Sequence, residues 1–235
     1  MTAIYKRELR SYFTSPIGYI LLAIFCIMTG LAFNQLNLQA LESDLTGLFL
    51  FIIQWVLLVF IPSLTMKTFS EEKKLKTEQL LLTSPVSLSA IVMGKFLSCV
   101  TFFGFAMVFT LPYVVICAGN GNVVPGIIIG HYIATVLVAC AFISIGMLIS
   151  SLTENQVIAA FASFGVVIAL ILLNNLAATT DNVTLSVVIN WLSFYARYTP
   201  FSGGLFSVVS IVYYISITGI FLFLTTRVLE QKRWA

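Results

Sequence analysis

The sequence predicts an all-α, polytopic membrane protein with six transmembrane helices, and composition, run length and charge placement each support that expectation. Hydrophobic residues make up 60% of the chain and charged residues only 9%, whereas charged residues normally supply about a quarter of a soluble domain. A soluble core of 235 residues could not hide so much apolar surface. The apolar runs reach the roughly 20 residues that carry a helix across a hydrocarbon layer. They are continuous rather than alternating, which disfavours a β-barrel.

Taken in order, residues 2–15 set Tyr5, Leu9, Tyr12 and Phe13 on one helical side and Lys6, Arg7 and Arg10 on the other. That is the pattern of a helix lying in the membrane interface. Ser15-Pro16 then turns the chain into spans expected at Ile17–Asn34, Leu48–Met66, Ser89–Ala118, Gly126–Ile149, Val157–Leu176 and Leu205–Thr226. The third run is longer than one span requires, so Lys95 is expected to snorkel its amine into the headgroups, and Pro112 to kink the outer half. Between the fourth and fifth runs a short turn carries Glu154, either a second docking point or a plain connector. Residues 177–204 form the one long outer connection, too apolar to lie free in water and too short to cross. Its Trp191, Tyr195 and Tyr198 suit a membrane interface.

Residues 67–85, KTFSEEKKLKTEQLLLTSP, interrupt the apolar pattern with four of the twelve lysine and arginine residues and the acids Glu71, Glu72 and Glu78. Thr68 and Glu71 have capping-box spacing, the acids open a first turn, and Pro85 ends the run, so a helix from Phe69 to Leu82 is expected. Glu72 and Lys76 stand at i,i+4, and Leu75 and Leu82 give one side an apolar stripe. A bare connector needs only a few residues. The alternative, a solvated loop between spans, remains open.

The run Phe69, Glu71, Glu72, Thr77, Glu78, Leu80 to Thr83 and Pro85 resembles the cytoplasmic loop of ABC-2 type transporter permeases, in particular the gliding-motility and nitrous-oxide-reductase-associated branch. The opening KRELRSYFTSPIGYI, Lys6 to Ile20, is similar to the start of the same branch. That loop usually carries Gly just before the Thr, where this sequence has Lys76. The resemblance implies a single ABC-2 transmembrane domain over residues 1–235, with 67–85 as a cytoplasmic coupling loop and 177–204 as short re-entrant or interfacial helices. It further implies a second permease chain, as homodimer or related heterodimer, and a separate pair of ABC ATPase subunits that hold ATP and magnesium. The setting implied is a bacterial cytoplasmic (inner) membrane, with export as the direction.

The residues agree with a motorless subunit. No GxxxxGK[ST] occurs to cradle nucleotide phosphates, so this chain is expected to bind no cofactor of its own. No HExxH and no convergent Ser/His/Asp set points to an enzyme. Cys26, Cys99, Cys117 and Cys140 lack ligand spacing and read as packing residues, and the lone His131 as a satisfied interfacial histidine. The middles of the spans carry no Asp, Glu, Lys, Arg or His, against the habit of ion-coupled carriers. Gln54, Asn174 and Asn175 are the notable polar side chains there, either touching substrate or bonding between helices. The expected coupling residues are Phe69, Glu71, Glu72, Leu75, Glu78, Leu82 and Glu154, facing the ATPase. The rival reading is a non-transporting membrane scaffold that recruits a cytoplasmic partner through the same loop. Membrane lipid is the expected surround, and the net charge of +3 reports topology rather than nucleic-acid binding.

Every basic residue except Arg197 falls on the side of the two termini in this layout, so the positive-inside rule makes that side cytoplasmic. Lys73 and Glu154 are then internal, and Asn120 and Arg197 external. In a chain freed of native cysteines, a cysteine at Asn120 or Arg197 should react with an impermeant thiol reagent on intact cells. One at Lys73 should react only after permeabilisation, and its labelling from outside would invert the layout.

Overall fold

The computed structural model describes residues 1–77, 86–121, 124–179, 189–191 and 193–234, without the side chains of 120, 174–179, 232 and 234. Among these residues the fold is all helical, with six helices long and apolar enough to cross a membrane: Pro16–Leu38, Thr46–Lys74, Leu88–Gly119, Pro125–Leu152, Gln156–Leu173 and Val208–Gln231. These coincide with the six expected spans to within a few residues at most ends.

Helix α1 (Thr2–Thr14) precedes α2 (Pro16–Phe33), whose N-terminus is capped by the Ser15 hydroxyl accepting from Ile17 N–H at 3.3 Å. Pro16 sits at the first helical position, where its missing N–H costs nothing. The second span is built in pieces: α3 (Thr46–Phe51), a π-helical turn at Ile52–Val56, and α4 (Leu57–Thr65). Then follow the short α5 (Ser70–Lys74), α6 (Leu88–Val108) and α7 (Leu111–Asn120). The expected kink in the third span is a break at Phe109-Thr110, because Pro112 has no N–H to give to Val108 and its ring crowds that carbonyl. The remaining helices are α8 (Pro125–Leu152), α9 (Gln156–Thr179), α10 (Phe194–Ser202) and α11 (Val208–Trp234).

Helix α8 is the centre, packed against α4, α6, α9, α10 and α11. It buries 67% of its most apolar stretch, against 17% for the fifth span and 22% for the sixth, so those two lie at the periphery. Small residues let neighbours approach α8, as is usual between helices in lipid. A Cβ on Gly146 would stand 2.3 Å from Thr65 Oγ1, closer than real atoms come, so only glycine admits α4 at this distance.

The aromatic side of α1 is turned onto α6. Tyr12 stacks on Phe102 at 5.0 Å, Phe13 meets Phe105 edge-on at 5.2 Å, and the Tyr5 hydroxyl donates to Thr101 Oγ1 at 3.1 Å. At the other end of the bundle, buried His131 at the start of α8 is satisfied. Its Nδ1 shares a 2.5 Å hydrogen bond with the Tyr198 hydroxyl of α10, and its Nε2 lies 3.1 Å from Thr46 Oγ1, which itself donates to Asp44 at 2.8 Å. The ring lies parallel to Phe49 at 4.9 Å. Helix α10 is the described part of the expected outer segment, and it ends in a Schellman turn. Leu205 N–H reaches Pro200 O and Gly204 N–H reaches Phe201 O, with Gly204 at φ 73°. The last span therefore starts at Val208 rather than Leu205.

Gly146→Ala should lower the thermal midpoint of the purified chain, since overpacking costs about 1–3 kcal/mol. Thr65→Ala in the same chain should recover part of the loss, because it removes the atom that the new methyl meets. A double variant no more stable than Gly146→Ala would show that the α4–α8 contact does not set this spacing.

Candidate functional site

The chain from Met66 to Thr77, after α4, is seated on three other elements, and its first bonds follow from backbone groups needing a partner. Phe69 N–H and Ser70 N–H, at the start of α5, are donors that no helical turn can satisfy. Ser150 Oγ, from the last turn of α8, accepts both, at 3.1 and 3.2 Å, and donates to Met66 O at 3.2 Å. The expected Thr68–Glu71 capping box is not formed. Phe69 is the N-cap, one residue later than the box requires, and Thr68 is buried with its carbonyl committed elsewhere. The cap comes from a side chain eighty residues away in sequence.

Helix α5 is also shorter than the Phe69–Leu82 helix expected. Lys76 N–H bonds Lys73 O at 3.0 Å and Thr77 N–H bonds Glu72 O at 2.9 Å, the two bonds of a Schellman turn, and Lys76 takes the left-handed position at φ 56°. Lys76 thus does the work of the glycine usual at this point in the loops it resembles, as Gly204 does at the end of α10. The helix stops after Lys74. Buried Lys73 donates its ammonium to Ser151 O, fastening α5 a second time to the end of α8.

The strongest feature is ionic. Lys95, in α6, is 1% exposed. Its Nζ lies 2.7 Å from Thr68 O, 2.9 Å from Glu72 and 3.2 Å from Glu8, with the Phe69 ring 5.2 Å away. Arg7 Nη2 closes the cluster from the outside, 2.6 Å from Glu8 and 2.8 Å from Glu72. Burial pulls the Arg7 guanidinium down, but the two carboxylates more than offset this and hold its pKa above the ordinary arginine value. Two cations and two carboxylates balance, and together they join α1, α5 and α6. Lys95 therefore does not snorkel to the headgroups. Glu72 faces Arg7 and Lys95, not Lys76, because a buried ammonium draws the nearest carboxylates while an exposed i,i+4 pair is worth only a few tenths of a kcal/mol.

The remaining expected residues separate into distinct places. Phe69 is buried, whereas Leu75 is 63% exposed at the C-cap of α5 and is an apolar side chain turned outward among the described residues of this loop. Glu71 lines a polar cavity of about 270 Å³ with Ser11, Ser15 and Lys67. Glu154 is exposed on the turn after α8, whose Ser151 carbonyl holds Lys73, so that turn and α5 are neighbours. Gln54 sits on the π turn of the second span, lining an apolar cavity of about 270 Å³ with Trp55, Phe142 and Tyr195. Glu78 and Leu82, and the side chains of Asn174 and Asn175, lie outside the described residues. Arg7, Glu8, Lys95 and Ser150 were not expected at the site. The available signal was a single lysine inside an apolar run and a single acid in a basic helix.

The family model for the ABC-2 family transporter protein matches residues 2–231, nearly the whole chain. A comparison with curated proteins gave no match. On the extent of that family match, together with six spans in the order described, this chain belongs to the ABC-2 family of transporter proteins.

Proposed function

We propose that the chain is the permease subunit of an ATP-binding cassette exporter, paired with a second permease chain and driven by two separate ATPase subunits that dock on the Met66–Thr77 loop. The setting is a bacterial cytoplasmic membrane with both termini inside. The family match carries the transporter reading. The docking reading rests on a single contrast within the loop, where Leu75 is 63% exposed while Phe69, Ser70 and Lys73 are buried. The loop thus presents one apolar side chain from a backbone that is fixed on its other side.

Force applied at Leu75 reaches the membrane through named bonds. The Glu72–Lys95 pair leads into α6, the Ser150 cap and Lys73–Ser151 bond lead into α8, and the Arg7 and Glu8 pairs carry α1 along. When the ATPases close on ATP, which with its magnesium belongs to them, the loop moves with the ends of these helices as one body. The pathway then switches between inward and outward access.

Leu75→Ala should reduce the ATPase that co-purifies with the tagged chain, since the lost apolar contact is worth on the order of 1 to 3 kcal/mol. Glu71→Lys tests the polar flank of the same surface. Undiminished recovery of ATPase with both changes in place would remove the loop from the docking surface.

Lys95→Met acts differently, because it leaves two carboxylates with Arg7 alone, and breaking a buried pair costs about 3–5 kcal/mol. The variant should melt earlier than the parent, and adding Glu8→Gln should restore part of the midpoint by removing the surplus charge. Both variants should retain bound ATPase yet hydrolyse ATP more slowly than the parent when reconstituted in bilayers. Parental hydrolysis in both would show that the cluster holds the fold without carrying motion.

A further inference from the structure

At the end of the bundle opposite Lys95, Arg197 presents the reverse situation. It lies in the first turn of α10, a helix fixed by buried Phe194, Tyr198 and Phe201 and by the Tyr198–His131 bond. Its guanidinium stands between two aromatic rings, 5.9 Å from the centre of Trp191 and 5.6 Å from that of Tyr213. The Nε atom is buried without a hydrogen-bond partner, and among the described residues no carboxylate lies within ion-pair distance of the group. Lys95, by contrast, has three oxygen partners.

Aromatic faces attract a cation, but they accept none of the five N–H bonds that a guanidinium offers in the plane of its fork. Stacking therefore leaves the fork oriented and unsatisfied. What matches it is an oxyanion with two coplanar or tetrahedral oxygens, which takes parallel N–H bonds from arginine and not from lysine. Trp191 is 64% exposed, so the platform opens outward instead of into the helix packing. Trp191 just before α10, Arg197 on it and Tyr213 on α11, grouped at the end of a bundle, also match the level of lipid headgroups.

We propose that Arg197, walled by Trp191 and Tyr213, binds a phosphate-type oxyanion, supplied either by a phospholipid headgroup or by a soluble phosphate. The site is independent of the ATPase-docking surface and survives the failure of that reading. It gives a reason for a lone cation on the end of the bundle that the basic residues otherwise avoid.

The test uses the full chain in non-ionic detergent with Trp55→Phe and Trp234→Phe, so that Trp191 is the remaining tryptophan and reports on its own stacking. Short-chain phosphatidylglycerol, added to the micelles, should change the fluorescence saturably, and an uncharged diacylglycerol should not. Arg197→Gln should weaken the response about tenfold or more, and Arg197→Lys should fall between, because it keeps the charge without the fork. Saturation by inorganic phosphate beyond a chloride control of equal ionic strength identifies the soluble source, and saturation by the lipid alone identifies the headgroup. An equal response in Arg197→Gln, from a preparation that elutes and melts as the parent does, overturns the site. Should that variant fail to fold, a parental response to lipid and phosphate no greater than to diacylglycerol and chloride overturns it equally.

Discussion

The burial of the Lys95 ammonium is the constraint on which the basic end of this bundle depends. Moving an ion of that size out of water costs several kcal/mol even after the protein relaxes, and a neutral lipid-facing neighbour returns none of it. Lys95 is covered on all sides, so its compensation has to come from oxygens brought by other elements. Glu8 arrives on α1, Glu72 and the Thr68 carbonyl on the loop after the second span. Three pieces of chain that are distant in sequence are thereby required to meet at one atom. Once they do, the aromatic side of α1 is pressed along α6, where Tyr12 and Phe13 find Phe102 and Phe105.

The two ends of the molecule solve the problem of joining helices by different chemistry. At the Lys95 end the joints are charged, and Arg7 seals them from solvent at the surface. At the other end the joint is made of hydrogen bonds and ring contacts: His131 links Tyr198 to Thr46, Phe49 stacks on the imidazole, and Asp44 accepts from the Thr46 hydroxyl. Both ends stop a short helix with the same left-handed turn, once with Gly204 and once with Lys76. The lysine carries a steric penalty of roughly 1–2 kcal/mol that glycine avoids. The seat formed by Ser150, Ser151 and Lys95 is what can hold it there.

This division explains what could be read in advance. A span is a local property, about 20 apolar residues in a row, and the six runs were legible because nothing distant alters them. Pro112 was legible for the same reason, since a missing N–H acts on the turn just before it. The helix expected over Phe69–Leu82 failed where a local rule met a distant partner. Thr68 has the residue type and spacing of a cap, but Lys95 takes its carbonyl and Ser150 performs the capping, so the helix begins one residue later. Glu72 has a lysine at i+4, yet a buried ammonium outcompetes an exposed one for the same carboxylate. Lys95 itself reads as a snorkelling residue in sequence, because a lone lysine near a span end carries no mark of which acids will reach it.

The size of α5 bears on how such a loop could work. Five residues of helix extend about 7 Å, barely more than one turn, too short to resist bending by its own hydrogen bonds. Its stiffness has to be borrowed. The Ser150 cap holds its first turn, Lys73 holds its last turn to Ser151, and Glu72 between them is held by Arg7 and Lys95. The helix is in this sense a rivet through α1, α6 and α8 rather than a lever of its own. Leu75 then stands exposed at the end of the rivet, with Lys74 and Lys76 exposed beside it. An acid at Glu72 that had faced a partner instead would have left Lys95 without half of its compensation. The same carboxylate cannot serve both, and with Glu72 held between Arg7 and Lys95 the exposed side chains at this end of α5 include Lys74, Leu75 and Lys76.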